Sequence, residues 1–573
     1  MAFRCRNTWG AVFWRITKNH NCRAYSSDIA VAQQKQRVPE GPDLQYFLNQ
    51  SLFPPKDSVS AAGSTKLNRK CAKAPKVLFE IHGCQMNHSD GEVAWSVLQS
   101  AGYERVVRLR EADVILILTC AIREGAEQKI WERLEDLSEI KKRRSRGSPL
   151  QIGLLGCMAE RLKENILEKQ KLVDLIVGPD AYRDLPKLLD TAASGQTAVN
   201  VILSKEETYA DILPVQLTDS PVTAFVSIQR GCDNFCSFCI VPFVRGRERS
   251  RPVKTVKTEI RELVSKGVKE VTLLGQNVNS YRDISEENLF SEKLTSYPSG
   301  FSSLYKPRIG GRRFAELLDD ISGSFPELRI RFQAAHPKDF PDELLMLMRE
   351  RPNICKQLHL PAQSGSTEVL NRMRRGYSRE AYLGLVERIR HLLPDVSLTS
   401  DMIAGFCEES EEDHNDTLDL IRTARYNFVY AFPYSAREKT TAHRRYADNV
   451  PPETKNRRFQ EIVKVFREEA LKVNSSKIGS VQLVLVEGES KRSPDFLQGR
   501  SDCGVKVIFP KEKVNVKSAD AMPFVDIQLG DYVAVEIQSA NSQTLHGLAL
   551  HRSSLSEFYS ELSTRNDIVA GVL

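Results

Sequence analysis

The sequence predicts an α/β protein in three parts: an N-terminal parallel α/β domain, a parallel α/β barrel and a small C-terminal β-barrel. Three patterns predict it. From Pro75 to about Ser194, short apolar runs alternate three times with helical stretches, and strands alternating with helices imply a parallel sheet. The alternation resumes from 223 to about 440, with apolar runs at 271–274, 330–332, 356–360, 396–402 and 428–432. That is the pattern of a parallel barrel, with its chemistry at the C-terminal ends of the strands. From Gly479 the period changes to short alternating runs at 481–486, 504–509 and 532–538, which read as a small β-barrel.

The chain opens on Arg4, Arg6, Arg15, Lys18 and Arg23, interleaved with Trp9, Val12, Phe13, Trp14 and Ile16, before the first acidic residue, Asp28. Arg-rich, acid-free and amphipathic describes a mitochondrial presequence. Arg23-Ala24-Tyr25-Ser26 resembles a matrix-protease site, giving a presequence over 1–25; an ordinary basic tail is the competing reading. Residues 26–74 are polar and rich in Gln, Pro and Ser, a linker.

In the first α/β segment, Val77–Ile81 leads to Cys84, with Ser89 or Asp90 placed to cap the helix that follows. Val114–Leu118 leads to Thr119-Cys120, and Ile152–Leu155 leads to Gly156-Cys157. The cysteines are 36 and 37 residues apart. One strand–helix unit per cysteine brings all three thiols to the carboxyl edge of the sheet, where such folds bind ligands. Any one of them could be a small apolar filler. Three in one topological position read as a metal site, and the residues alone leave both readings open.

A strand over Thr223–Gln229 ends in Arg230-Gly231, followed by Cys232, Cys236 and Cys239 in the spacing C-x3-C-x2-C. Three thiolates on one loop hold three corners of a cubane iron–sulfur cluster and leave the fourth iron open. The usual occupant at this spacing is S-adenosylmethionine, which one electron cleaves to a deoxyadenosyl radical. The bland alternative is a zinc knuckle, which usually needs a fourth Cys or His nearby.

Length and composition bound the rest. At 573 residues the chain suits two to four domains, and 41% hydrophobic residues suffice for packed cores. No stretch approaches eighteen consecutive apolar residues, so no membrane-spanning helix is expected. The net charge of +7 points only weakly to an acidic partner. Twelve cysteines, mostly single, are not a secreted disulfide framework and suggest a reducing compartment. Residues 283–313 lack periodicity and read as a surface insertion, and the basic run 141–146 as a solvated loop.

Gly83-Cys84-Gln85-Met86-Asn87, Thr119-Cys120-Ala121-Ile122-Arg123-Glu124, Gly156-Cys157-Met158-Ala159-Glu160-Arg161 and the three-cysteine loop, in that order, resemble the radical-SAM methylthiotransferases. Gly275-Gln276-Asn277-Val278-Asn279, Leu358-His359-Leu360-Pro361-Ala362-Gln363 and Arg374-Arg375-Gly376-Tyr377 extend the likeness, which runs from about 75 to 552. Gln85-Met86 matches the branch acting on N6-isopentenyladenosine in tRNA, rather than the threonylcarbamoyladenosine or ribosomal-protein branches. With the presequence, the fit is best to the animal mitochondrial branch, also described as associated with a cyclin-dependent-kinase regulatory subunit.

The resemblance implies an N-terminal methylthiotransferase domain over 75–200, a partial (βα)6 radical-SAM barrel over 218–470, an RNA-binding TRAM domain over 476–552 and a tail over 553–573. It implies two 4Fe-4S clusters, one on Cys232, Cys236 and Cys239, the other an auxiliary cluster on Cys84, Cys120 and Cys157 whose open iron presents a sulfur. Asn277, Asn279, His336 and Gln363 would line the S-adenosylmethionine and substrate cavity. Lys491, Arg492, Arg500, Lys506 and Lys511 would suit an RNA backbone. The implied reaction makes 2-methylthio-N6-isopentenyladenosine at position 37 in the anticodon loop of mitochondrial tRNA, in the matrix, with an electron-donor protein as partner. The threonylcarbamoyladenosine activity and a non-enzymatic kinase-regulatory role are the rival readings.

The chain departs from the family at Leu118 (commonly Asn), Ala334-Ala335 before His336-Pro337, Cys407-Glu408 in place of Pro-Gly, and Arg437-Glu438-Lys439-Thr440 in place of a Pro-Gly turn. Cys407 reads as a loop residue, not a ligand.

Overall fold

Strand β1 (Lys76–Ile81) starts a six-stranded sheet completed by β2 (Glu104–Arg105), β3 (Val114–Thr119), β4 (Gln151–Gly156), β5 (Leu175–Val177) and β6 (Ala198–Asn200). The computed structural model describes residues 74–122, 124–144, 150–169, 173–217, 222–285, 297–303, 308–333, 335–516 and 524–570. The expected presequence and nearly all of the expected linker lie outside these residues, as do parts of the 283–313 insertion and of the basic run at 141–146.

Every pairing in the first sheet is parallel, in the order β2-β1-β3-β4-β5-β6. Strand β3 is buried along its whole length, as an unbroken apolar run covered on both faces must be. Leu116 and Leu118 face one core with Val93, Trp95 and Leu98 of α1 (Gln85–Ser100). Ile115 and Ile117 face the other with Ile130 of α2 (Glu124–Arg143) and Met158 of α3 (Cys157–Lys169). Successive elements leave β1 in opposite directions across the sheet, so the switch point lies between β1 and β3, where open α/β sheets form their ligand crevice.

One expected cap is corrected. Ser89 and Asp90 lie inside α1, which begins at Gln85 with Cys84 at its N-cap, and both side chains are buried. Asp90 is drawn inward by two guanidiniums described below.

Six further strands form the open barrel: β7 (Thr223–Ser227), β8 (Glu270–Leu274), β9 (Arg329–Phe332), β10 (Gln357–His359), β11 (Ser397–Ala404) and β12 (Phe428–Pro433). They pair in parallel as β9-β8-β7 and β10-β11-β12, and a parallel bridge at Ile330 and Ile354 links the triplets. One continuous core fills the space between strands and helices. The strand expected over Thr223–Gln229 stops at Ser227; Gln229-Arg230 turns away to pair antiparallel with Arg249-Ser250.

The C-terminal strands β13 (Val481–Ser490), β14 (Ser493–Arg500), β15 (Lys506–Pro510), β16 (Val514–Val516), β17 (Phe524–Val525), β18 (Tyr532–Ala540) and β19 (Thr544–Ser553) form a sheet closed by parallel pairing of β15 with β19. Closure removes the exposed edges an open sheet would leave. This barrel docks on the N-terminal ends of the radical-domain strands. Arg329 donates to the carbonyls of Leu483 at 3.0 Å and Arg500 at 3.1 Å, and Arg331 to those of Ser501 at 2.7 Å and Asp502 at 2.8 Å. Much of the stretch expected as a tail is helix α4 (Leu555–Ala570), whose Leu555 and Phe558 are buried against Leu483, Leu485 and Tyr532.

Candidate functional site

Cys84, Cys120 and Cys157 follow β1, β3 and β4, the three adjacent strands beside the switch point. Cys84 caps α1 and Cys157 is the first residue of α3, so two of the three thiols sit at helix N-termini, where the backbone favours a thiolate. Cys84 and Cys120 interact directly, and Cys157 lies within electrostatic reach of Cys84. Gly83 makes the approach possible: at φ +105, a Cβ there would stand 2.5 Å from the Cβ of Cys120. The Ile122 amide donates to the Cys120 sulfur at 3.4 Å.

The second triad sits on the loop that leaves the barrel after β7. Gly231 has φ +75, and a Cβ on it would be 2.0 Å from the Arg247 carbonyl oxygen, so only glycine fits this turn. The Gly231 amide donates to Gln276 Oε1 and the Cys232 amide to the Gly246 carbonyl. Ser237 ties the loop to the far side of the barrel, through its amide to the Met373 carbonyl (2.9 Å) and its hydroxyl to the Arg372 carbonyl (2.7 Å). Part of the 283–313 insertion folds back here: Arg308 pairs with Asp233, next to Cys232, and with Glu248 at 3.1 Å.

Each triad receives one buried guanidinium. Arg245 Nε donates to Cys157 Sγ at 3.0 Å, and Arg375 Nη1 to Cys236 Sγ at 3.2 Å. Burial pushes the Cys157 thiol up to about 11 and the Cys239 thiol to about 12. Contact with Cys120, then burial, raises Cys84, and burial raises Cys232. These are thiols that ionise when a metal takes the proton's place, so loading the site releases protons.

Among the described residues, no group of three or more Cys, His, Asp or Glu side chains is placed to hold a single metal ion. Thiolates on a cubane each take a different iron and need not meet at one point. Two sets of three thiols, two of each set buried and each set with a cation beside it, suit a cluster of net negative charge better than one zinc ion.

A cavity of about 340 Å³ lies beside the three-cysteine loop, with Cys239 in its wall. Ile122, two residues beyond Cys120, lines it from the N-terminal domain; Phe238, Cys239, Gln363, Asp401 and Tyr434 line it from the barrel. Arg437 also lines it and donates to the Ile122 carbonyl at 3.3 Å, tying the two walls together. The wall is mostly apolar and aromatic, the make-up of a ligand pocket with a few orienting polar groups.

Of the four residues implied for the cofactor cavity, Asn277, Asn279 and His336 gather around Asp339, and Gln363 lies apart from them. Gln363 lines this cavity, its backbone at φ +72 and bonded on both sides to β11. His336 lines a different cavity of about 460 Å³, with Asn234, Lys338 and Arg374. Asn277 and Asn279 hold the loop at Asp339: Asn277 Nδ2 reaches Asp339 Oδ2 at 2.7 Å while its Oδ1 accepts from the His336 amide, and Asn279 Nδ2 donates to the Asp339 carbonyl. Nothing in the sequence marks Asp339 or Arg245; Arg375 and Arg437 stand there only within the Arg374–Tyr377 likeness and the Arg437–Thr440 departure, and Phe238 only as the aromatic before the third loop cysteine.

The departures from the family pattern settle locally. Cys407 is buried in a cluster with Phe406, Met373 and Tyr434, against which Phe238 of the three-cysteine loop packs. Lys439 holds φ +71, the left-handed backbone a turn glycine usually supplies. Of the C-terminal cations, Arg500 pairs with Glu487 at 3.0 Å and Lys511 with Glu489 at 2.7 Å. Arg500 and Lys506 line a polar cavity of about 870 Å³ running from the C-terminal barrel through the radical-domain lumen to Gln85.

The chain matches the Uncharacterized protein family UPF0004 over residues 76–178, the Radical SAM superfamily over 226–421 and the TRAM domain over 475–550. It is 55% identical to the mitochondrial tRNA methylthiotransferase CDK5RAP1 of Rattus norvegicus, covering 93% of this chain and 92% of that protein. The human protein of the same name is 52% identical, over 93% and 94% of the two chains. The tRNA-2-methylthio-N(6)-dimethylallyladenosine synthase of Flavobacterium johnsoniae is 45% identical, over 86% and 97%.

Proposed function

The chain belongs to the tRNA methylthiotransferase family, and from that premise we propose that it converts N6-isopentenyladenosine to 2-methylthio-N6-isopentenyladenosine at position 37 of mitochondrial tRNAs, in the matrix. The observation that carries the proposal is that one cavity is walled on one side by Ile122, next to Cys120, and on the other by Cys239. A nucleobase held there would meet Cys239 on one side and Ile122, whose amide donates to the Cys120 sulfur, on the other. Cys232, Cys236 and Cys239 would hold the 4Fe-4S cluster that binds S-adenosylmethionine, and Cys84, Cys120 and Cys157 the auxiliary 4Fe-4S cluster. When bound, these groups supply a deoxyadenosyl radical, a sulfur atom and a methyl group.

The side chains around the cavity suit that chemistry. The C2–H of a purine is not acidic enough for a side-chain base, and no His or Lys is among the described residues lining the cavity. Asp401, which is, shares its Oδ2 with His359 Nε2 at 3.3 Å. Phe238, Phe432 and Tyr434 offer flat faces for a base or an adenine. The apolar wall excludes water, which protects a reactive intermediate from side reactions. Anticodon-loop bases are single-stranded and can be splayed into such a pocket at modest cost. The C-terminal barrel would contact the RNA backbone, with Lys491 and Arg492 on its exposed β13–β14 turn. An electron-donor protein would supply the reducing equivalent.

The test is anaerobic reconstitution with isopentenylated tRNA, S-adenosylmethionine and a reductant. Mass spectrometry of the digested tRNA should show the 2-methylthio nucleoside. Its absence from protein with full iron and sulfide content rejects the assignment, and turnover of threonylcarbamoylated tRNA instead would move the chain to the rival branch.

A further inference from the structure

We propose that Arg245 is a positioning residue of the auxiliary site, supplied by the radical domain, which holds Cys157 by its sulfur and raises the reduction potential of the cluster on Cys84, Cys120 and Cys157. The proposal rests on the reading that this triad carries an iron–sulfur cluster.

Arg245 comes six residues after Cys239, at the end of the helical turn Val241–Val244, whose Val244 is buried against Ala121 and Cys157. The loop that carries one triad therefore continues directly into the wall of the other. The Arg245 side chain is only 4% exposed. Its Nε donates to Cys157 Sγ at 3.0 Å, and its Nη2 to Asp90 Oδ2 at 2.8 Å and Asn87 Oδ1 at 3.2 Å. Asn87 is fixed in turn, with Nδ2 donating to the His82 carbonyl at 2.5 Å. From the other side, the Arg245 carbonyl accepts from Arg249, whose guanidinium grips Asp180 at 2.9 and 3.1 Å. The guanidinium is thus held in orientation before any metal arrives.

Charge points the same way. A buried cation needs a partner, and Asp90 is shared, since Arg230 Nη1 occupies its Oδ1 at 2.7 Å. Arg245 Nη1 is buried without a hydrogen-bond partner among the described residues. Arg230 has Glu207 as a second carboxylate at 3.8 Å, whereas among the described residues Arg245 pairs only with the shared Asp90, and a negatively charged cluster at Cys157 supplies the charge it lacks. A donor on a ligand sulfur stabilises the more negative, reduced form more than the oxidised one, and so raises the potential. Arg230 is the internal control, because it grips the same Asp90 and touches no cysteine.

The full-length chain carrying Cys232→Ala, Cys236→Ala and Cys239→Ala retains only the auxiliary triad. Anaerobic reconstitution followed by a potentiometric titration read by electron paramagnetic resonance gives one midpoint. Adding Arg245→Lys should shift it to lower potential, whereas adding Arg230→Lys should leave it in place. An unchanged midpoint with Arg245→Lys, or equal shifts for both variants, overturns the proposal. A measurement without substitution at Arg245 guards against misfolding: in protein labelled with 15N-arginine, the reduced cluster should show a 15N hyperfine coupling, and its absence overturns the proposal as well. If the three-alanine protein takes up no iron or sulfide, the cluster reading itself fails and this inference falls with it.

Discussion

Asp90 Oδ1 lies 2.7 Å from Arg230 Nη1, with 0% of the aspartate and 2% of the arginine side chain exposed. The pair joins helix α1 of the N-terminal domain to the residue that precedes the Gly231-Cys232 turn. Arg245 completes the junction from the far side of the same loop. Breaking a buried ion pair by removing one partner typically costs about 3–5 kcal/mol, because the remaining charge stays buried and unpaired. Asp90→Ala should therefore lower the urea midpoint clearly, while an exposed pair such as Arg143–Glu139 should contribute little when broken. Equal midpoints for Asp90→Ala and wild type would remove the junction's role in stability.

The turn after β7 allows a sharper test. At Gly231 the backbone conformation and the Arg247 carbonyl both exclude a side chain. Gly231→Ala must push the three-cysteine loop outward, although strand β7 and the helices around it keep their contacts. The expected outcome is a far-UV circular dichroism spectrum like wild type, iron content down by about half, and loss of deoxyadenosine formation. Wild-type iron in Gly231→Ala would show that the loop tolerates the displacement.

The backbone plan was legible in the sequence, and the side-chain wiring was not. Cys84, Cys120 and Cys157 stand at strand ends, and unbroken apolar runs mark those ends without knowledge of any partner. The spacing of Asp90 fits a helix cap, but its partners Arg230 and Arg245 are 140 and 155 residues away. Nothing local in a sequence reports a contact of that span. The same limit separated His336 from Gln363: each follows a barrel strand, but the two side chains face different cavities. Strands β14, β16, β17 and β19 are illegible in the sequence for another reason. The β14 run from Ser493 to Arg500 contains Pro494, Asp495 and Gly499, and is recruited by pairing rather than by propensity.

Glu92 gives the fold a pH dependence. It sits on α1 with its carboxyl buried, receives Gln216 Nε2 at 3.2 Å, and is pushed up to about 8, first by burial and then by the nearby Glu259 carboxylate. A folded-state value above the unfolded one means that the native state binds the extra proton. The contribution is fully present below the unfolded carboxyl range of about 4.3 and is lost as pH rises through about 8. Glu160, Glu248 and Glu409 are also raised, each to about 7 by burial, so wild-type stability alone does not isolate one residue. The difference between Glu92→Gln and wild type does. The urea midpoint of the variant should fall less steeply than that of wild type from about pH 6 to about pH 8.5, and parallel curves would exclude Glu92 as a contributor.

The two triads should fail in different ways when one ligand is removed. Cys232 belongs to the loop proposed for the S-adenosylmethionine chemistry, and Cys120 to the sheet edge, two residues before Ile122, whose carbonyl accepts from Arg437. On the proposed assignment, Cys232→Ala removes a ligand of the cluster that cleaves S-adenosylmethionine, so both deoxyadenosine and methylthiolated tRNA should disappear. Cys120→Ala leaves that loop and its Arg375 contact to Cys236 intact. It should still release deoxyadenosine, with about half the iron, but form no sulfur-containing product. Deoxyadenosine quantified beside the 2-methylthio nucleoside in the same anaerobic reaction separates the two variants. If Cys120→Ala still inserted sulfur, the sheet-edge cysteines would not be the sulfur site, whatever their spacing suggests. If both variants lost deoxyadenosine equally, the triads would act as one structural unit rather than as two centres sharing a substrate.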